Sequence, residues 1–125
     1  MTHTVTFNSE LSVVQICVSG DFCIDEGGEI LQEALDLVKQ YDCRLVLDDL
    51  REANLRLSIT ELFMLPKLIQ EVSKEEGLPF QLYKRAVVAK IYSSNLKFAE
   101  NVLNNRGHTM KVFTNLDEAL KWLRT

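Results

Sequence analysis

Two prolines, five glycines and two histidines are few for a chain of 125 residues, and the three cysteines form no Cys-x-x-Cys pair. So little proline and glycine excludes collagen-like or low-complexity sequence. Apolar residues make up 46% of the chain, which excludes intrinsic disorder, yet no apolar run exceeds a few residues. A bilayer span needs about 20 such residues, so no stable membrane insertion is expected. Residues 1–19 show neither the basic start nor the apolar block of a signal peptide. An odd number of unpaired thiols fits a reducing, cytoplasmic setting. His3 and His108 lie far apart with no partner at ligand spacing, so no zinc site or histidine-based triad is expected. What remains is one domain over residues 1–125, large enough to fold without a disulfide or metal staple.

The formal charge of −4 argues against nucleic acid or an anionic membrane as partner. Its distribution is uneven. Residues 1–62 hold twelve acids and four bases, or −8, whereas residues 63–125 hold six acids and ten bases, or +4. Either the halves form faces of opposite sign that favour docking, or they interleave into a mixed surface; interleaving is the commoner outcome.

Alternation over Thr4–Asn8, a turn at Asn8-Ser9-Glu10 and a β-rich stretch over residues 11–19 predict an edge hairpin ending at Gly20-Asp21-Phe22. A helix is expected from about Asp25, capped by its carboxylate, with Ile30, Leu31, Ala34, Leu35 and Val38 as its buried stripe. Residues 44–50 read as a buried strand ending in acids. Ser58 to Glu76 is helical in pattern, with Ser58 and Glu61 at capping-box spacing, but Pro66 predicts a kink or two joined pieces. Residues 86–92 form the next strand, followed by a helix capped at Ser93 or Ser94 and stopped by Gly107. Met110–Phe113 is the last strand, and Asn115 with Glu118 caps a final helix over Leu116, Ala119, Leu120 and Leu123. The order ββαβαβαβα predicts an α/β fold: a mixed, mostly parallel five-stranded sheet with about four helices.

Few groupings carry chemistry. Asp48-Asp49 at a strand's carboxyl end has the residue types for a metal or a phosphoacceptor. The third acid and the lysine that would complete a receiver-type site are missing, and the alternative is one capping and one solvated acid. Ser93-Ser94-Asn95 opens a helix, whose free amides make a candidate anion site or simply receive a cap. Gly27-Gly28 lacks the further glycines of a dinucleotide fingerprint and the Lys-[Ser/Thr] of a P-loop. Phe63, Met64, Leu65 and Leu68, beside Pro66, line a candidate ligand pocket, form a candidate partner surface, or are simply buried on the sheet. No cofactor and no catalytic residue is expected.

The ending Val112-Phe113-Thr114-Asn115-Leu116-Asp117-Glu118-Ala119-Leu120-Lys121-Trp122-Leu123 resembles the tail of SpoIIAA-like proteins, relatives of the STAS domain. Lys84-Arg85-Ala86-Val87-Val88-Ala89, Phe98-Ala99-Glu100 and Leu45-Val46-Leu47-Asp48-Asp49-Leu50 look like the same pattern, so the resemblance covers nearly the whole chain. It implies the fold derived above, in a small and often dimeric bacterial cytoplasmic protein; proteins of this group are also compared with lipid carriers of the Sec14 type. Anti-sigma-factor antagonists of the group carry Asp-Ser-[Ser/Thr]-Gly after the third strand, the second hydroxyl residue being phosphorylated. Leu57-Ser58-Ile59-Thr60-Glu61 stands there in this chain, without the aspartate, the paired hydroxyl or the glycine. Ser58 is therefore a candidate phosphosite or a helix cap.

Two functions are expected from different classes. The first is a non-enzymatic interaction or regulatory module, a homodimer or the binder of a protein partner. The second is a carrier or sensor of a small apolar or lipid-like ligand, held beneath Ser58–Glu76 and lined by Phe63, Met64 and Leu68. An enzyme built on Asp48 or Asp49 is the third and weakest reading.

Overall fold

A computed structural model describes residues 2–125. Strands β1 (Thr2–Asn8), β2 (Val13–Phe22), β3 (Leu45–Leu55), β4 (Lys84–Val88) and β5 (Thr109–Phe113) alternate with helices α1 (Ile24–Tyr41), α2 (Ile59–Glu75), α3 (Ser94–Asn105) and α4 (Leu116–Leu123) after the opening hairpin. A single 3₁₀ turn, Phe80–Leu82, precedes β4 and had no signal in the sequence. The sheet runs β1-β2-β3-β4-β5, with β1 antiparallel to β2 and every other pair parallel. This is the mixed, mostly parallel α/β sheet expected from the element order.

Strand order equal to chain order constrains the helices. Each parallel crossover turns the same way, so α1, α2 and α3 fall on one face of the sheet. There they bury Val14, Ile16, Val18, Val46, Val87 and Val112 against Leu31, Leu35, Ile69 and Leu103. Helix α4 follows the last strand and covers part of the opposite face, where Ala119 and Leu123 meet Val13, Leu47, Ala86 and Val88. The same order lays the acidic half of the chain, with β1 to β3, beside the basic half, with β4 and β5. The halves therefore do not interleave across the sheet as expected.

Four local expectations need correction. Helix α1 starts at Ile24 after Cys23, which gives no side-chain cap, and Asp25 lies in the first turn where its charge suits the helix dipole. Helix α2 is one continuous element, with Pro66 fully buried in its middle, not two pieces. The strand expected over 86–92 begins two residues earlier and ends at Val88. The third strand does not stop at its acids: β3 runs five residues past Leu50 and pairs with Ser19–Phe22 of β2. Between Cys17 and Ser19 the register shifts, because β3 carries one extra residue there. Side chains on β3 consequently change parity, and Leu50, Ala53 and Leu55 all face the helices.

Candidate functional site: an apolar cavity under α2

The extension of β2 and β3 beyond the end of β4 leaves a gap between the sheet and the helices. It forms a cavity of about 340 Å³, walled by Ile16, Val18, Phe22 and Leu55 from the sheet and roofed by Leu62, Leu65, Leu68 and Ile69 of α2. This lies at the low end of small-molecule pocket volumes. It sits at the carboxyl ends of the parallel strands, where open α/β sheets place ligands. Ser93 and Asn95, both exposed, stand at its rim. Gly27 and Gly28 of α1 stand at ordinary contact distances from this wall and roof: a Cβ on Gly27 would lie 3.4 Å from Phe22 Cζ, and one on Gly28 would lie 3.6 Å from Leu68 Cδ1.

Two charged side chains line this apolar space, Asp48 of β3 and Arg85 of β4. Alternation puts them there. Asp48 is two residues from Val46 and Arg85 two residues from Val87, both core positions on the helix-covered face. Arg85 Nε lies 3.3 Å from Asp48 Oδ2, yet that N–H is buried without an acceptor in hydrogen-bonding geometry. Burial drives the Asp48 carboxyl above its ordinary range, and Arg85 opposes that only in part. On the other side of Arg85, His108 stacks on Phe80 with ring centroids 4.1 Å apart, and its Nε2 is also buried without a partner. Burial first, and the Arg85 charge second, hold the His108 pKa down to about 4.

Asp49 points the opposite way. It accepts Arg51 Nε at 2.9 Å and Nη2 at 2.8 Å, a two-pronged pair that holds its carboxyl below the usual range. It borders a shallow polar groove with Thr4, Cys17 and Ser19 on the face that α4 leaves open. The adjacent acids thus lie on opposite faces, paired with different arginines, and do not form the capping and solvated pair expected. Among the described residues, no three His, Cys, Asp or Glu side chains converge as metal ligands would.

The structure divides the residues singled out near Pro66. Leu65 and Leu68 line the cavity. Phe63 and Met64 face outward, 49% and 54% exposed, and do not line it as the carrier reading required. A helix over a sheet turns only one stripe inward, and here that stripe contains Leu62, Pro66 and Ile69. Phe63 instead sets its edge against Phe98 of α3, with centroids 5.1 Å apart. Ser58 forms a full capping box: its Oγ accepts the Glu61 amide at 3.1 Å, and Glu61 accepts the Ser58 amide at 3.0 Å. Ser93 caps α3 by accepting the Leu96 amide at 3.2 Å, Ser94 begins the helix, and Asn95 reaches the cavity rim. Arg85 falls one residue before the strand that the sequence pattern predicts, so that pattern does not mark it as a site residue. Its two-residue spacing from Val87 was the available signal.

No protein-family model matches the chain, and no curated protein matches it in sequence. Its backbone does match solved structures. It superposes on an anti-sigma factor antagonist from Mycobacterium paratuberculosis with a TM-score of 0.59 and 18% identity, covering 99% of this chain and 96% of that one. An uncharacterised protein of the DUF3478 family with a SpoIIAA-like fold, from Shewanella loihica PV-4, gives a TM-score of 0.60 and 16% identity, over 97% and 93% of the two chains. The fold is SpoIIAA-like. At these identities the likeness is one of architecture, which agrees with what the tail from Val112 to Leu123 implied. Among the described residues of this SpoIIAA-like fold, no helix is long and apolar enough to cross a membrane.

Proposed function

We propose that this protein is a non-enzymatic regulatory module that acts in the cytoplasm by binding a protein partner. The observation that carries the reading is the whole-length match in fold to an anti-sigma factor antagonist. A second copy of the chain is the simplest partner, since the acidic and basic halves lie side by side across the sheet and two copies can meet with opposite signs facing. Light scattering over the micromolar range tests the homodimer: a mass of twice 14.3 kDa supports it, and 14.3 kDa at every concentration refutes it. The heterologous form is tested by reconstitution from purified components. A stable complex that leaves both chains covalently unchanged supports the module, while turnover of the partner or of a small substrate refutes it.

A second reading is favoured by one specific observation, the apolar cavity beneath α2. Here the protein carries or senses a small apolar or lipid-like molecule, held by Leu65 and Leu68 and not by Phe63 or Met64. Native mass spectrometry of freshly purified protein separates the readings. A co-purified apolar molecule lost in Leu65→Asp supports the second, and ligand-free protein that takes up no offered amphiphile removes it.

A further inference from the structure

We propose that the cavity takes a small amphipathic monoanion, its apolar body among the leucines of α2 and its carboxylate on the Arg85 guanidinium. The proposal rests on the second reading above and specifies its ligand class. The cavity wall is apolar apart from its rim and two charged groups, Asp48 and Arg85. Their pairing is incomplete. The nearest approach is 3.3 Å, and Arg85 Nε has no acceptor. At the next residue of β3, the Asp49–Arg51 pair shows what a satisfied fork looks like, with two contacts of 2.8 and 2.9 Å.

A guanidinium keeps its charge at any ordinary pH, whereas a buried carboxylate can shed its charge by taking a proton. Burial pushes Asp48 in that direction. The neighbouring His108 is held neutral, so it adds no competing positive charge. Arg85 thus brings to the cavity a charged group whose donors are underused, at a depth where unmade hydrogen bonds are costly. A carboxylate supplies the planar pair of acceptors that a guanidinium fits. The N-terminus of α3, reaching the rim through Ser93 and Asn95, adds partial positive charge at the entrance. A neutral alcohol or ester offers a single uncharged acceptor and leaves the guanidinium charge uncompensated, and a cation is repelled by Arg85.

The test is calorimetric titration of the intact protein with decanoate, 1-decanol and decylamine. Decanoate is expected to bind more tightly than decanol. Arg85→Gln should weaken decanoate by at least about ten-fold while leaving decanol unchanged, and Arg85→Lys should restore part of the loss. Equal binding of decanoate and decanol, untouched by Arg85→Gln, overturns the head-group assignment but leaves an apolar-ligand site standing. Tighter binding of decylamine, lost in Asp48→Asn, overturns it in favour of the carboxylate. No binding of any of the three refutes both the assignment and the reading beneath it. Should Arg85→Gln fail to fold, carboxyl-labelled decanoate on the wild-type protein decides by NMR. Contacts between the labelled carboxylate and the Arg85 side chain support the proposal, and a solvent-exposed carboxylate refutes it.

Discussion

The Ser73 hydroxyl and the Tyr83 hydroxyl meet 2.9 Å apart in the interior, joining the end of α2 to the residue that leads into β4. Both side chains are buried, so each is the other's substitute for water. Tyr83→Phe strands the Ser73 hydroxyl and is expected to cost about 1–2 kcal/mol. Ser73→Ala should cost a similar amount. The double variant should cost clearly less than the two together, because it removes both unpaired groups. Urea denaturation of the four proteins measures this, and strict additivity would show that the hydroxyls do not depend on each other.

The capping box at the start of α2 gives a second expectation. Ser58→Ala removes the acceptor of the Glu61 amide and should lower stability by about 1 kcal/mol. Ser58→Asp supplies an equivalent acceptor with a charge suited to the helix dipole, and should recover most of the loss. Thermal melts of the two variants check it; an Asp variant no better than Ala would contradict the capping role.

Glycines in two settings should respond oppositely to alanine. Gly28 lies within α1, where a Cβ would make only an ordinary contact with Leu68, so Gly28→Ala is expected to stabilise by about 0.5–1 kcal/mol. Gly77 follows α2 with φ +69°, a conformation that L side chains resist although nothing crowds the position. Gly77→Ala should destabilise by about 1 kcal/mol. Matching shifts of the same sign would refute the conformational account.

Stability should fall as acid titrates the unfolded chain at His108. Folded His108 has its pKa held down to about 4 against an ordinary 6.5, so below 6.5 the unfolded state gains a proton that the native state refuses. The contribution therefore weakens between 6.5 and about 4 and changes no further below that. Asp48, raised by burial, works against this trend as it takes up a proton in the folded state. The comparison is thus between wild type and His108→Gln, measured by denaturant titration across this pH window. The variant should lose less stability on acidification, even if it is less stable throughout; parallel profiles would exclude His108 as the source.

The sequence made the architecture legible because local signals agreed: caps at Ser58, Ser93 and Asn115, a stop at Gly107, and a five-residue stripe in α1 all recur in the structure. The site was less legible, for two physical reasons. The extra residue in β3 reverses which side chains face inward, so Leu50, Ala53 and Leu55 do not share one alternating pattern and the strand seemed to end early. The cavity also needs Asp48 and Arg85 from strands 37 positions apart in chain numbering, and only pairing of β3 with β4 brings them together. Phe63 and Met64 were conspicuous because they are apolar, but which stripe of α2 turns inward is decided by packing around Pro66. A helix apolar on more than one side does not reveal that choice.

Chain-ordered strands have a further consequence for how this fold can diversify. Each connection leaving the upper end of the parallel sheet belongs to a successive step along the chain, and two of them, 56–58 and 89–93, border the cavity through Leu57 and Ser93. Neither connection is part of a strand. Substitutions or short insertions there can reshape the entrance while the sheet register and its buried valines stay fixed. Descendants of one scaffold can in this way acquire differently shaped cavity mouths by editing two short loops.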